Sequence, residues 1–235
     1  SFSGKHPIGN VGVQMHHVSP VSNEAIAWTM GVQEVITLGN LFLKQQFDAS
    51  RVVVVAGAVS NSQYVSTFQG ANIGDLVKDN LNEGKMRLIS GDILSGKKKD
   101  KTHFLGFFDD QVSVVKEGDY FEMFCWLLPQ TKRPTVSKTY LGGFSSSRST
   151  DVDTNMHGEK RAFVVSGEYE SMLPMDIYPQ FLLRSIIVGD FEKMEGLGIY
   201  EVVEEDIALC EFACTSKQPL QSILRGGLNE MIEQG

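Results

Sequence analysis

Four consecutive valines constrain the fold of this chain more than any other feature. They sit inside Arg51-Val52-Val53-Val54-Val55-Ala56-Gly57-Ala58-Val59. β-Branched side chains are stiff at χ1 and suit a pleated surface, so the run predicts a buried strand. Asn61-Ser62 then supplies a tight turn, and Tyr64-Val65-Ser66-Thr67-Phe68 alternates as a hairpin partner. Ala71-Asn72-Ile73-Gly74-Asp75-Leu76-Val77 opens a short helix with Asn72 as its cap, and Met86-Arg87-Leu88-Ile89-Ser90 reads as a further strand. Strand, hairpin, helix, strand is the order of a small β-grasp, ubiquitin-like unit.

Upstream, Val32, Val35, Ile36, Gly39, Phe42 and Leu43 recur at three- and four-residue steps and predict a helix. Gly39 on that stripe predicts close approach of another backbone. Val11-Gly12-Val13-Gln14-Met15-His16-His17-Val18 reads as an alternating stretch. On a strand His16 and His17 would face opposite ways, one buried and hydrogen-bonded, the other exposed. Lys97-Lys98-Lys99-Asp100-Lys101 reads as a loop tip, either simply solvated or docking acidic partners or anionic lipid. Gln111 to Val115 and Tyr120 to Trp126 are strand-like, with Cys125 as a buried small hydrophobe. Gly142 to Thr154 is Ser/Gly-rich, a composition that predicts mobility. From Gly167 the pattern is helical. Pro179 suits a first turn, Gly189 an end, Asp190 a cap, and Ser216 the cap of a last helix reaching Glu233. The reading is α+β, in segments 1–50, 51–110, 111–165 and 166–235.

The run Glu204-Glu205-Asp206-Ile207-Ala208-Leu209-Cys210-Glu211-Phe212-Ala213-Cys214-Thr215 fits the ferredoxin spacing C-x2-C-x2-C-x3-C-P. Cys210 and Cys214 take its third and fourth ligand places, and Glu204 and Ile207 the first two. The spacing fits again upstream, with Phe163, Ser166, Tyr169 and Leu173 in the ligand places and Pro174 in the proline place. Cys210 and Cys214 have three readings: structural core, leftover cluster geometry without metal, or a metal site that lacks its remaining ligands nearby.

The stretches Pro174 to Leu183 and Cys210 to Leu220 resemble the double ferredoxin-like tail of the C subunits of Rnf complexes. Gly31 to Leu38 followed by Val52 to Val59 is similar to the helix and soluble-ligand-binding β-grasp domain shared with the NADH-binding subunit of complex I. His6-Pro7-Ile8-Gly9-Asn10-Val11-Gly12, Leu88 to Gly96, Pro174-Met175-Asp176-Ile177 and Glu204 to Cys210 resemble the A subunit of the sodium-pumping NADH:quinone oxidoreductases, over essentially the whole chain, as its C-terminal half. That resemblance implies the end of a Rossmann-like domain at 1–50, a β-grasp domain at 51–110, an irregular β-rich connection at 111–165, and a helical ferredoxin-like domain without clusters at 166–235. It implies a peripheral subunit on the cytoplasmic side of a bacterial inner membrane, contributing quinone interaction and assembly to a complex that is the enzyme. The fragment alone is not expected to be catalytic. NADH, FAD, FMN and iron–sulfur centres belong to partner subunits, with the membrane-embedded B subunit the principal neighbour and quinone the substrate. Phe144-Ser145-Ser146-Ser147-Arg148-Ser149 departs from the family in being polar.

A quinone needs an apolar slot and one or two donors for its carbonyl oxygens. Tyr140, Phe144, His157 and Arg161 supply those types in one stretch, which reads either as such a pocket or as a surface loop with an anchored arginine. Gly9, Gly12 and Gly31 do not form G-x-G-x-x-G, so no dinucleotide site is predicted. No catalytic residue and no complete metal-ligand set is predicted. A formal charge of -8 argues against nucleic-acid binding, and three cysteines fit a reducing compartment. No apolar run is long enough to span a membrane. The opening Ser1-Phe2-Ser3-Gly4-Lys5 has neither a signal-peptide pattern nor an initiator methionine, as expected of a piece of a longer protein. The rival to the family reading is a stand-alone small-ligand or electron-carrier module using the β-grasp unit or Cys210 and Cys214.

Overall fold

The valine run is a strand inside a five-stranded sheet. The structure, a computed structural model, describes residues 1–124, 127 and 152–234. In chain order its elements are α1 (Val11–Val18), α2 (Val32–Lys44), β1 (Ser50–Gly57), β2 (Gln63–Phe68), α3 (Ile73–Leu76), β3 (Met86–Ser90), β4 (Lys97–Lys99), β5 (Gln111–Lys116), α4 (Pro179–Val188), α5 (Phe191–Gly196), α6 (Glu204–Ala213) and α7 (Leu220–Gln234). They form two units, one of Gly31–His157 and one of Ser1–Met30 with Gly158–Gly235. The chain is thus mixed, with one sheet and several helices.

In the first unit the sheet order is β2-β1-β5-β3-β4. β1 is antiparallel to β2 and parallel to β5, and β3 is antiparallel to both β5 and β4. Val53 and Val55 point inward and are fully buried with Ile73, Leu76, Leu88, Leu105, Val112 and Val114. Burying such side chains stabilises by about 1.5–3 kcal/mol each. Asn72 caps α3 by accepting the Asp75 N–H.

β5 reaches β1 only from Val54 onward, so the backbone groups of Val52 on that side lack a strand partner. The Gln33 side-chain amide serves both, accepting from the Val52 N–H and donating to the Val52 carbonyl at 2.9 Å each. Next to it Glu34 accepts from the guanidinium of Arg51 at 2.5 Å, and Asp110 lies 3.8 Å from the same group. Arg51 is only 5% exposed, a charge that burial permits because it is paired. Polar residues therefore tie α2 to the sheet, and none of its side chains is buried.

Two expectations fail here, and a third is not met by these residues. Lys97–Lys99 is not a loop tip but the edge strand β4, with Lys97 opposite Ser90 and Lys99 opposite Leu88. Lysines are common on such edges because they discourage further strand pairing. Tyr120 to Phe124 lie in no strand; Cys125 and Trp126 fall outside the described residues. A Cβ built on Gly39 meets no atom of the described chain within 4 Å, so the predicted close neighbour is not supplied by these residues.

The second unit is helical. Pro179 opens α4, Gly189 closes it in the left-handed region at φ 75°, and the Asp190 side chain accepts from the Lys193 N–H at the start of α5. α7 starts at Leu220, directly after Pro219, and Ser216 does not cap it. The Ser216 carbonyl instead accepts the Arg161 N–H at 2.9 Å. Val13, Leu182, Leu183, Met194, Ile199, Ile207, Leu220 and Leu224 are essentially fully buried in one core. The alternating stretch at Val11–Val18 is helix α1, not a strand; Val13 is the side chain that carries it into the core.

Candidate functional site

In two-cluster ferredoxins the fourth ligand of each run serves the other run's cluster. By that rule Phe163, Ser166 and Tyr169 share a site with Cys214, and Glu204, Ile207 and Cys210 share one with Leu173. α6 carries Cys210 near its end and Cys214 just beyond it, while a 3-10 turn at Tyr169–Ser171 presents Tyr169. The Tyr169 hydroxyl lies 2.9 Å from the Cys214 sulfur, so the paired places do meet. Cys210 Sγ donates to the Tyr169 carbonyl at 3.6 Å, and the Gln218 N–H donates to Cys214 Sγ at 3.4 Å. The Phe163 and Tyr169 rings are 6.2 Å apart. Tyr169, Leu173, Ile207, Cys210 and Cys214 are each at most 3% exposed.

Side chains thus occupy the space between the ligand places. Burial pushes the Cys210 thiol up to about 12 and, with the Cys214 contact, raises the Tyr169 phenol as well. A thiol held this far above neutrality stays protonated and is neither nucleophile nor ready metal ligand. Cys210 and Cys214 are free thiols, and among the described residues no group of three or more His, Cys, Asp or Glu could hold a metal.

Of the four residues expected to contact quinone, Tyr140 and Phe144 lie outside the described residues. His157 and Arg161 belong to different units. His157 Nδ1 is 3.4 Å from Glu122 and Nε2 is 3.5 Å from Asp153. The Tyr120 hydroxyl donates to Asp153 at 2.6 Å, and the Asn155 amide donates to the Tyr120 carbonyl at 2.6 Å. These bonds fasten residues 117–122 to 153–157. Gly118 permits the approach, since a Cβ there would lie 2.3 Å from the Asn155 nitrogen. Arg161 is exposed, and its backbone is held by Ser216 and by the Gln218 side chain.

Two arrangements escaped the sequence reading. Asp206 is fully buried, accepts from the Val203 N–H at 3.3 Å, and faces Gly12 on α1. Burial lifts its carboxyl above the ordinary value, against the opposing pull of the Val203 and Val13 N–H groups and the Asn10 amide. Its signal was available: an acidic residue at the third helical position, and a glycine in the first turn of another helix. The second is His16, whose partners the strand reading did not name. Its Nε2 accepts the Asp176 N–H at 3.0 Å, which leaves Nδ1–H to donate to Glu201 at 2.7 Å. His17 is exposed, with Nε2 2.9 Å from the Pro174 carbonyl. His16 is hydrogen-bonded but only half-buried, where a buried histidine was expected; His17 is exposed, and both stand on a helix.

Comparison with known proteins gives matches along the chain. A family model described as the NqrA second alpha/beta domain matches residues 1–47, and one described as the NQRA C-terminal domain matches residues 52–101. The chain is 39% identical over 236 residues to the A subunit of the Na(+)-translocating NADH-quinone reductase of Yersinia pseudotuberculosis serotype I (strain IP32953). Identity is 39% to the protein of the same name from Klebsiella pneumoniae (strain 342) and 40% to that from Haemophilus influenzae (strain PittGG). Each alignment covers 100% of this chain and 53% of the relative. The chain spans about half the length of these curated relatives.

Proposed function

The chain belongs to the A-subunit family of the Na(+)-translocating NADH-quinone reductases, and from that membership we propose that it is a peripheral, non-catalytic part of such a complex. The complex would pass electrons from NADH to quinone and drive sodium across a bacterial inner membrane. This chain would contribute quinone interaction and assembly on the cytoplasmic side, against the membrane-embedded B subunit. Flavins and iron–sulfur centres would reside in the other subunits. The observation that carries the proposal is identity of 39–40% along the whole chain with proteins of that name. Two others support it. No helix among the described residues is long and apolar enough to cross a membrane. Cys210 and Cys214 are engaged in packing with Tyr169.

In finer terms, residues 1–50 would close a Rossmann-like domain and 51–110 would be the β-grasp domain. Residues 111–165 would connect it to a ferredoxin-like domain without clusters at 166–235. The mixed sheet order and the meeting of the two template copies support those assignments. Quinone contacts are proposed at Tyr140, Phe144, His157 and Arg161. Photoaffinity labelling of the assembled complex with a quinone analogue, followed by peptide mapping, tests them. Label on peptides carrying these residues is the expected result. Label confined to other subunits reduces the chain to scaffold.

A further inference from the structure

Helix α2 is built the wrong way round for a surface helix of its own unit. On a helical projection Val32, Val35, Ile36, Leu38, Phe42 and Leu43 fall on one side, with Gly39 among them, while Gln33, Thr37, Asn40 and Lys44 fall opposite. The side that grips the sheet is the polar one, through Gln33 to Val52 and Glu34 to Arg51. The apolar side is open: Phe42 is 78% and Leu43 85% exposed. A helix presenting such a stripe outward requires a partner. Gly39 costs helix stability relative to alanine and meets nothing within 4 Å, so it suits a backbone that approaches closely from outside these residues.

Residues 1–47 match a domain described as alpha/beta, yet they contain only the helices α1 and α2 and no strand. The next match, from residue 52, is to a different domain. The strands of that alpha/beta domain are not among these residues, and the relatives are almost twice as long as this chain. We propose that the apolar stripe of α2 packs, in the full-length subunit, against a β-sheet built from the segment preceding Ser1. Sheets of alpha/beta domains are covered by helices through such stripes. This inference rests on family membership and not on the quinone reading.

The test uses the isolated, monomeric full-length subunit. Hydroxyl-radical footprinting of the unaltered protein should oxidise Ile36, Phe42 and Leu43 at least about tenfold more slowly in the native than in the urea-unfolded state. A photo-crosslinking amino acid in place of Phe42 should then join to peptides from the segment preceding Ser1. Native oxidation as fast as unfolded overturns the proposal. So does protection that appears only on dimerisation or only in the assembled complex, which assigns the stripe to a second copy or to another subunit. A crosslink within residues 1–235 also overturns it.

Discussion

Gly12→Ala is the most exacting test of how α1 is held. An ideal Cβ at Gly12 lies 2.0 Å from Asp206 Oδ2, 2.8 Å from its Cγ and 2.9 Å from Oδ1. The carboxylate cannot simply swing aside, because it is fully buried and bonded to the Val203 N–H. Moving α1 instead would unseat Val13, itself completely buried. Overpacking of this kind costs about 1–3 kcal/mol. Alanine returns up to about 1 kcal/mol of helix propensity, so a net loss of about 1–2 kcal/mol is expected. Urea unfolding followed by circular dichroism measures it, and a double-mutant cycle with Asp206→Ala isolates the contact. In the Asp206→Ala background the alanine should be neutral or stabilising. The reasoning is refuted if Gly12→Ala alone is as stable as the parent, or if its cost is unchanged once the carboxylate is gone.

Further outcomes are expected. Because burial raises the Asp206 carboxyl, the folded state binds its proton more tightly than the unfolded state. Its contribution is therefore fully present below the ordinary value of 3.8 and lost as pH rises through the raised value. The stability of the parent relative to Asp206→Asn should fall across that window, and a difference independent of pH would contradict the burial argument. Arg51→Met leaves Glu34 and Asp110 without their cation and should cost about 3–5 kcal/mol in denaturant titration; a loss below about 1 kcal/mol would show the group to be solvated. Tyr169→Phe removes the hydroxyl contact with Cys214 and should cost about 1 kcal/mol. Cys210 should resist thiol reagents in the native protein and react on unfolding; rapid native modification would contradict its burial.

Where residues carry their own local instruction, the fold was legible. The valines of β1, the cap Asn72, Pro179, Gly189 and Asp190 each act within a few positions and sit where their chemistry predicts. Elements fixed from a distance were not. α1 is eight residues long with no side-chain cap, and its helical state depends on Val13 in the core and on Asp206 near the other end of the chain. β4 is three lysines that become a strand only because β3 pairs with them. Ser216 has the chemistry of a cap, but α7 begins later, at the point set by Pro219. The ferredoxin spacing was informative about the site because its pairing rule is itself long-range. The sequence reading did not apply that rule; applied to these positions it joins the place of Tyr169 to that of Cys214, and the two do touch. The quinone set had no such rule, only proximity along the chain.

The contact of Tyr169 with Cys214 also bears on how this subunit comes into being. Proteins braced by metal centres tie their folding to metal supply and proton activity, and thiolate ligands expose them to oxidants. Here the brace between the two halves of the helical unit is a phenol, two buried thiols and the aliphatic side chains of Leu173 and Ile207. Contacts of this kind form as apolar surface leaves water. A helical unit held in this way would mature ahead of any cofactor-loading step, and would keep its shape when iron is scarce or oxygen abundant.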